Sequence, residues 1–133
     1  MDSMQHVIET VDSDAWFGDG VLYVVMKEGS VIDLGAAQMH VNKWKRFLST
    51  REDIEIFALI VNMKGIKTIT REARIFYSER KDERSKAVAL IVGSAVSRII
   101  ANFFLAFTPN NKPVQLFTSK EAAFLWIQRF LQG

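Results

Sequence analysis

The stretch AVALIVGSAVSRIIANFFLAF, residues 87–107, joins a strand of buried type directly to an apolar helix. Residues 87–92 are all apolar and rich in β-branched side chains, which is typical of a strand covered on both faces. A Gly-Ser pair then turns the chain into the helix. Residues 54–61 (IEIFALIV) have the same character and precede a second predicted helix at residues 70–78. Two strand–helix units of this kind predict right-handed crossovers and a largely parallel sheet.

The same order extends toward the N-terminus. Residues 6–11 and 21–26 are short β-rich runs joined through FGDG at residues 17–20, whose glycines suit a tight turn, so the three segments predict a β-hairpin. Residues 34–50 repeat apolar side chains every three or four positions. This spacing predicts an amphipathic helix, and the preceding Asp33 is its expected N-cap.

The C-terminal segments complete the fold. Residues 114–117 (VQLF) predict a last strand, and TSKE at residues 118–121 predicts a capping box that opens a final helix. The charged run ERKDERSK at residues 79–86 predicts a solvated loop. The resulting order is β-β-α-β-α-β-α-β-α. We expect an α/β fold with a mixed five-stranded sheet, a parallel core and an N-terminal hairpin, in one domain spanning residues 1–133.

Composition narrows the class of protein. The chain has 133 residues, of which 49% are hydrophobic and 24% charged, as in ordinary folded domains. The net charge of +2 is dispersed along the chain, so we expect no nucleic-acid partner. No run approaches the roughly 20 apolar residues that span a bilayer, so we expect no membrane insertion. The sequence contains no cysteine, which excludes disulfides and thiolate chemistry, and we expect a cytoplasmic protein.

Residues that could carry catalysis or bind a metal form no recognisable motif. The sequence contains no GxSxG, P-loop or GxGxxG pattern. His6 and His40 are the only histidines, and a metal site without cysteine would need carboxylates that the spacing does not supply. A Ser-His-Asp arrangement assembled by the fold stays open, although nothing in the sequence favours it. We predict no catalytic residue, no metal and no cofactor.

The helix predicted at residues 94–107 poses the question of what covers it. Ser94, Arg98 and Asn102 are four positions apart and form one stripe, with apolar residues on both flanks. One flank must pack on the sheet, and the chain is too short to cover the other with a further layer. We therefore expect a protein interface, most simply a two-fold homodimer. The alternative is a buried core helix whose Arg98 reaches solvent. The expected interface residues are Ser94, Arg98, Ile99, Asn102, Phe103, Phe104 and Phe107.

A family resemblance appears in LIVNMKGIKTITREA, residues 59–73. In STAS domains, whose founding members are the SpoIIAA-like anti-sigma factor antagonists, a strand leads into an Asp, a Gly and then an Asp-Ser at a helix start. Asn62, Gly65, Thr70 and Arg71 fall at those positions here. The chain resembles an uncharacterised bacterial branch of this family more specifically, through FGDGVLYV (residues 17–24), SRIIANFF (97–104) and LFTSKEAAFLW (116–126).

The resemblance implies a protein-interaction domain rather than an enzyme. Familiar members are switched by phosphorylation of the helix-start Ser, but Arg71 occupies that position here and cannot accept phosphate. Thr68 and Thr70 are nearby hydroxyls, for which helix capping is favoured over phosphorylation. Arg71 and Arg74 either bind an anion at the helix start or are simply solvated. The expected switch or partner surface consists of Asn62, Thr68, Thr70, Arg71 and Arg74.

The sequence therefore leaves three candidate functions. The favoured one is a non-enzymatic regulatory module, homodimeric through residues 94–107, with a regulatory protein as a further partner. The alternative is a small-molecule or lipid-binding domain with an apolar pocket beside the same helix, which rests on analogy of fold. An enzyme has no supporting residue set and would show a polar cleft with shifted titratable groups.

Overall fold

The computed structural model describes residues 4–79, 84–107 and 112–131. These residues form an α/β domain in which strands and helices alternate along most of the chain. The described elements are β1 (Gln5–Glu9), β2 (Ser13–Gly18), β3 (Val21–Met26), β4 (Ser30–Ile32), α1 (Leu34–Ser49), β5 (Phe57–Asn62), β6 (Ile66–Ile69), α2 (Arg71–Ser78), β7 (Ser85–Ile91), α3 (Ala95–Phe107), β8 (Val114–Phe117) and α4 (Lys120–Leu131).

The main sheet has the strand order β1-β2-β3-β5-β7-β8. β1, β2 and β3 form an antiparallel meander, while β3, β5, β7 and β8 run parallel. The predicted mixed sheet with a parallel core and an N-terminal hairpin is confirmed, but this sheet has six strands rather than five. The additional strand arises because the chain turns after β1: the Thr10 hydroxyl accepts hydrogen bonds from the backbone N–H groups of Asp12 and Ser13. This tight side-chain turn separates β1 from β2.

A second, two-stranded parallel sheet pairs β4 with β6 and was not predicted. Both strands are too short to give a clear alternation of apolar and polar residues. Gly65 precedes β6 and lies so close to the end of β3 that an added Cβ would stand 2.5 Å from the carbonyl oxygen of Met26 and 2.7 Å from that of Lys27. Only glycine permits this backbone approach, which joins the small sheet to the end of the main one.

The helices divide between the two faces of the main sheet. α1, α2 and α3 pack on one face, over a core that includes Leu22, Val24 and Ile100. α4 packs alone on the other face, against β5, β7 and β8, where Ile60 and Ile127 are fully buried. This division follows from the strand order, because successive right-handed crossovers in one direction place their helices on one side.

Local chemistry sets the helix starts. Asp33 caps α1 by accepting the Ala36 N–H at 2.8 Å, and Thr70 caps α2 by accepting the Ala73 N–H at 3.2 Å, so the Asp33 and Thr70 caps are confirmed. The capping box predicted over residues 118–121 is wrong. The hydroxyl of Ser119 accepts the Ala122 N–H instead, so α4 begins one residue later than that motif requires.

Two further loops bear on the sequence predictions. Asp19 and Gly20 join β2 to β3 with φ angles of 52° and 79°, a left-handed two-residue turn of the type that matches strand twist. In the charged run at residues 79–86, residues 80–83 lie outside the described residues. The loop predicted over this run ends before residue 86, because β7 already begins at Ser85.

Candidate functional site

The inward side of α3 begins with a reciprocal serine cap. The Ser97 hydroxyl accepts the N–H groups of Gly93 and Ser94 at 3.1 and 3.0 Å, and the Ser94 hydroxyl accepts the Ser97 N–H at 3.0 Å. Ser97, Ile100 and Ala101 are buried against the rest of the domain. The serine predicted to lie in an interface, Ser94, is exposed at the helix start, and its hydroxyl serves the cap.

The outward side of α3 carries an apolar pair beside a polar stripe. Ile99 is 64% exposed and Val96 is 44% exposed, three residues apart on one side of the helix. Arg98 and Asn102 are exposed next to them. One flank of α3 is therefore buried and the other faces solvent, as the length of the chain indicated. The side chains of the other three residues expected in the interface, Phe103, Phe104 and Phe107, lie outside the described residues.

The residues of the predicted switch surface do not all come together. Asn62 ends β5 and is on the α4 side of the sheet, where its Nδ2 donates to the Tyr23 hydroxyl at 3.4 Å and its Oδ1 accepts the Lys64 N–H at 3.1 Å. The other four lie at the opposite helical layer: Thr68 is exposed on β6, Thr70 caps α2, Arg71 is exposed in the first turn, and Arg74 is half-buried. Because the two arginines differ in exposure, Arg71 is the one presented to solvent.

The start of α2 and the outward side of α3 belong to neighbouring elements. α3 packs beside both α2 and β6. α2 also presents an apolar side chain, since Ile75 is 38% exposed. The predicted interface helix and the four switch-surface residues on β6 and α2 therefore lie on one side of the sheet, although they are far apart in sequence. We call this region, made of β6, α2 and α3, the α2–α3 surface.

A buried polar cluster that sequence reasoning missed lies between α1 and α2. The His40 side chain is fully buried on α1, and its Nδ1 lies 2.8 Å from the hydroxyl of Tyr77 on α2. Its Nε2 lies 3.3 Å from Oδ2 of Asp12 in the β1–β2 turn, within ion-pair distance but misaligned for a hydrogen bond. Trp44 stacks against Tyr77, with ring centroids 6.1 Å apart. The sequence does place His40 within the apolar stripe of α1, and that position could have indicated a buried polar contact.

Burial sets the titration of this cluster. Desolvation lowers the pKa of His40, outweighing the nearby Asp12 carboxylate, which raises it, while Lys43 lowers it further. Desolvation, followed by the charge of Asp12, raises the pKa of Tyr77 well above its usual value. Neutral His40 with its proton on Nε2 faces the carboxylate and accepts a hydrogen bond from Tyr77 at Nδ1. The cluster thus fastens three elements together with both aromatic groups neutral.

Two shallow depressions occur among the described residues, and no described residue of α3 lines either of them. One of about 330 Å³ is lined by Val7, Ile8, Glu9, Lys43, Arg46, Phe47 and Thr50, between β1 and α1. The other, of about 290 Å³, is lined by Met4, Trp16, Tyr23 and Lys120 on the α4 side of the sheet. Within residues 4–79, 84–107 and 112–131, no three histidine or acidic side chains group closely enough to hold a metal ion. In the same part of the chain, every helix is too short or too polar to cross a bilayer.

Solved structures share this fold. A protein of the DUF3478 family from Shewanella loihica PV-4, described as having a SpoIIAA-like fold, matches with a TM-score of 0.60 and 12% identity, covering 91% of this chain and 98% of that one. An anti-sigma factor antagonist from Mycobacterium paratuberculosis matches with a TM-score of 0.51 and 18% identity, covering 96% of each chain. No curated protein matches the chain.

The fold is therefore of the SpoIIAA-like class, and the predicted resemblance to that class is confirmed. Residues 15–131 match the family model described as Domain of unknown function (DUF7793), and the chain belongs to that family.

Proposed function

We propose that the protein is a non-enzymatic regulatory module of the cytoplasm that pairs with a second copy through α3 and receives a regulatory protein at the adjoining start of α2. The observation that carries this proposal is the exposed apolar pair on α3, Val96 and Ile99, beside Arg98 and Asn102. Isolated exposed apolar residues are normal, but neighbouring ones on a largely apolar helix favour a protein contact. The SpoIIAA-like fold supports the regulatory part, since one similar structure is an anti-sigma factor antagonist.

At the start of α2, Arg71 offers a partner a fixed positive charge in place of a side chain that can be phosphorylated. Its guanidinium is exposed in the first turn of α2, where a phosphoacceptor serine would stand in the familiar STAS pattern. A permanent positive charge there attracts an acidic group on a partner, and no phosphate can be attached to it. Thr70 is used instead as a helix cap, since its hydroxyl accepts the Ala73 N–H at 3.2 Å.

The test compares two single substitutions on opposite faces of the sheet. Ile99→Asp places a carboxylate at the centre of the proposed seam, and burying it there without a partner costs several kcal/mol, so the dimer should dissociate. Leu125→Asp is the matched control, because Leu125 is 78% exposed on α4 and lies far from the seam. Sedimentation equilibrium and native mass spectrometry report the oligomeric mass of each.

We expect a dimer for the wild type and for Leu125→Asp, and a folded monomer for Ile99→Asp. A wild-type protein that sediments as a monomer contradicts the proposed pairing. A dimer that survives Ile99→Asp removes α3 from the seam while leaving the regulatory part of the proposal in place. Far-ultraviolet circular dichroism of both variants checks that the fold is intact.

A further inference from the structure

A row of aromatic side chains crosses the antiparallel meander on the α4 side of the sheet. His6 is paired with Trp16, and Trp16 with Tyr23, so the three side chains stand side by side on one face. The ring centroids of His6 and Trp16 are 5.3 Å apart, and those of Trp16 and Tyr23 are 6.1 Å apart. The row continues onto α4, where the Phe124 ring lies 5.6 Å from that of Tyr23.

Among the described residues, this part of the sheet face has no helix over it. α4 packs over β5, β7 and β8, and no other helix in the described part of the chain lies on that side of the sheet. The space beside α4 is the depression of about 290 Å³ lined by Met4, Trp16, Tyr23 and Lys120. Its volume is near the lower end for small-molecule sites, and suits one ring system rather than a peptide.

Lys120 supplies a positive charge over the aromatic floor. Its ammonium lies 4.8 Å from the centroid of the Tyr23 ring and 5.7 Å from that of Phe124. Among the described residues, no carboxylate lies within ion-pair distance of this ammonium. Asn62 holds the Tyr23 ring in place through its hydroxyl, at 3.4 Å. An ammonium held against rings, without an acidic partner, remains able to pair with an anion.

The nearby acidic group does not cancel this charge. Asp14 lies on the same face of β2 as Trp16. Its carboxylate is 2.8 Å from His6 Nε2 and 4.0 Å from Lys27 Nζ. These contacts hold the Asp14 side chain within the meander. The charge that faces the depression from α4 is therefore that of Lys120.

We propose that this depression is a binding site for a small planar aromatic anion, such as a fused-ring carboxylate. The ring lies against the exposed part of Trp16, between Met4 and the stem of Lys120, and the carboxylate pairs with the Lys120 ammonium. The aromatic and thioether walls favour a flat apolar body, while the single cation selects one negative charge. The site lies on the opposite face of the sheet from α3, so it does not depend on the proposed dimer.

The test is a titration of the full chain with 2-naphthoate, followed by two-dimensional ¹H–¹⁵N spectra. We expect saturable shifts centred on the Trp16 indole N–H and on the amides of Tyr23 and Lys120, with a Kd of about 1 mM or tighter. The neutral isostere 2-naphthamide and the Lys120→Gln variant should each bind about threefold to fivefold more weakly, the contribution expected of one exposed ion pair. Lys45→Gln, an exposed lysine on α1, is the matched control and should leave the Kd unchanged.

Three results overturn the proposal. The first is the absence of saturable shifts at Trp16 up to about 10 mM naphthoate, which is too weak for a site. The second is equal affinity for naphthoate and naphthamide, which removes the role of the charge. The third is a set of shifts centred on α3, which would place the ligand beside that helix instead.

Discussion

α1 and α3 lie on the same face of the sheet, yet each departs from the usual distribution of polarity in the opposite direction. α1 buries a polar side chain, His40, at 0% exposure, while α3 exposes an apolar one, Ile99, at 64%. The buried histidine is matched within the chain, by Tyr77 at 2.8 Å and Asp12 at 3.3 Å. The Ile99 side chain is left largely uncovered by the described part of the domain. The first departure fixes how the domain packs, and the second is the basis of the proposed interface.

The two helices illustrate two kinds of specificity. A buried polar cluster makes its contacts in only one arrangement of α1, α2 and the β1–β2 turn, so it selects that arrangement over other apolar packings. An exposed apolar pair stabilises nothing in the isolated domain and acts only when a partner covers it. Substitutions in the cluster should therefore change the free energy of unfolding, and substitutions on the outward side of α3 should not.

The largest effect is expected for His40→Ala. Removing the ring leaves the Tyr77 hydroxyl and the Asp12 carboxylate facing a cavity, and the free energy of unfolding should fall by about 3 kcal/mol. Urea unfolding followed by circular dichroism measures the change at a fixed protein concentration. His6→Ala is the matched control, because the His6 side chain is 44% exposed, and it should cost no more than about 0.5 kcal/mol. Equal losses for the two variants would mean that the cluster does not fasten the helices.

The next-largest effect is a dependence of stability on pH, with losses of stability below about pH 6.5 and above about pH 10. In the unfolded chain His40 binds a proton near its ordinary pKa of 6.5, but its pKa is lower in the folded domain. The unfolded state therefore binds more protons as the pH falls below 6.5, and stability decreases by at most about 1.4 kcal/mol per pH unit until folded His40 titrates. Tyr77 has a raised pKa, so its contribution is complete below pH 10 and is lost as the pH rises above that value.

Two variants assign these limbs of the pH profile. Unfolding by urea at a series of pH values should show a shallower acid limb for His40→Ala and a weaker alkaline limb for Tyr77→Phe. The wild type should be most stable between them. An acid limb that is identical in His40→Ala would assign the loss of stability to carboxylates elsewhere.

The smallest effect is expected for Ile99→Thr, measured at a protein concentration low enough for the monomer to predominate. Since Ile99 packs against little of its own domain, the free energy of unfolding should change by less than about 0.5 kcal/mol. Ile100→Thr, at the next position but only 3% exposed, should cost about 2 kcal/mol through lost packing and a buried hydroxyl. If the two substitutions destabilise the monomer equally, the outward side of α3 is covered within the chain.

The sequence predicted the parts of the fold that depend on local chemistry. Apolar runs indicated β5 and β7, and the N-caps Asp33 and Thr70 are side-chain contacts that span three residues. It did not predict β4 and β6, because their pairing depends on a backbone approach at Gly65 that only the folded chain creates. The cap of α4 was misplaced because Thr118 and Ser119 are both good N-cap residues, and packing of the helix decides between them.

The candidate sites were predictable to different degrees. The two-sided character of α3 follows from its composition and the length of the chain, so its exposed flank was expected. The separation of Asn62 from Arg71 could not be seen, because the face to which a strand residue points depends on the register of the sheet. The contact of Asp12, His40 and Tyr77 joins three segments that are distant in sequence, and no periodic pattern links them.

The left-handed turn at Asp19 and Gly20 also has a consequence for how the chain folds. Hairpins of this kind form within about 1–10 μs, so the meander of β1, β2 and β3 can assemble from local contacts alone. β5, β7 and β8 each join only after a crossover helix has closed a long loop, which is entropically slower. We therefore expect closure of the crossovers, rather than formation of the meander, to limit the folding rate. During synthesis the meander emerges before β5, and its β3 edge stays open until β5 is made and pairs with it.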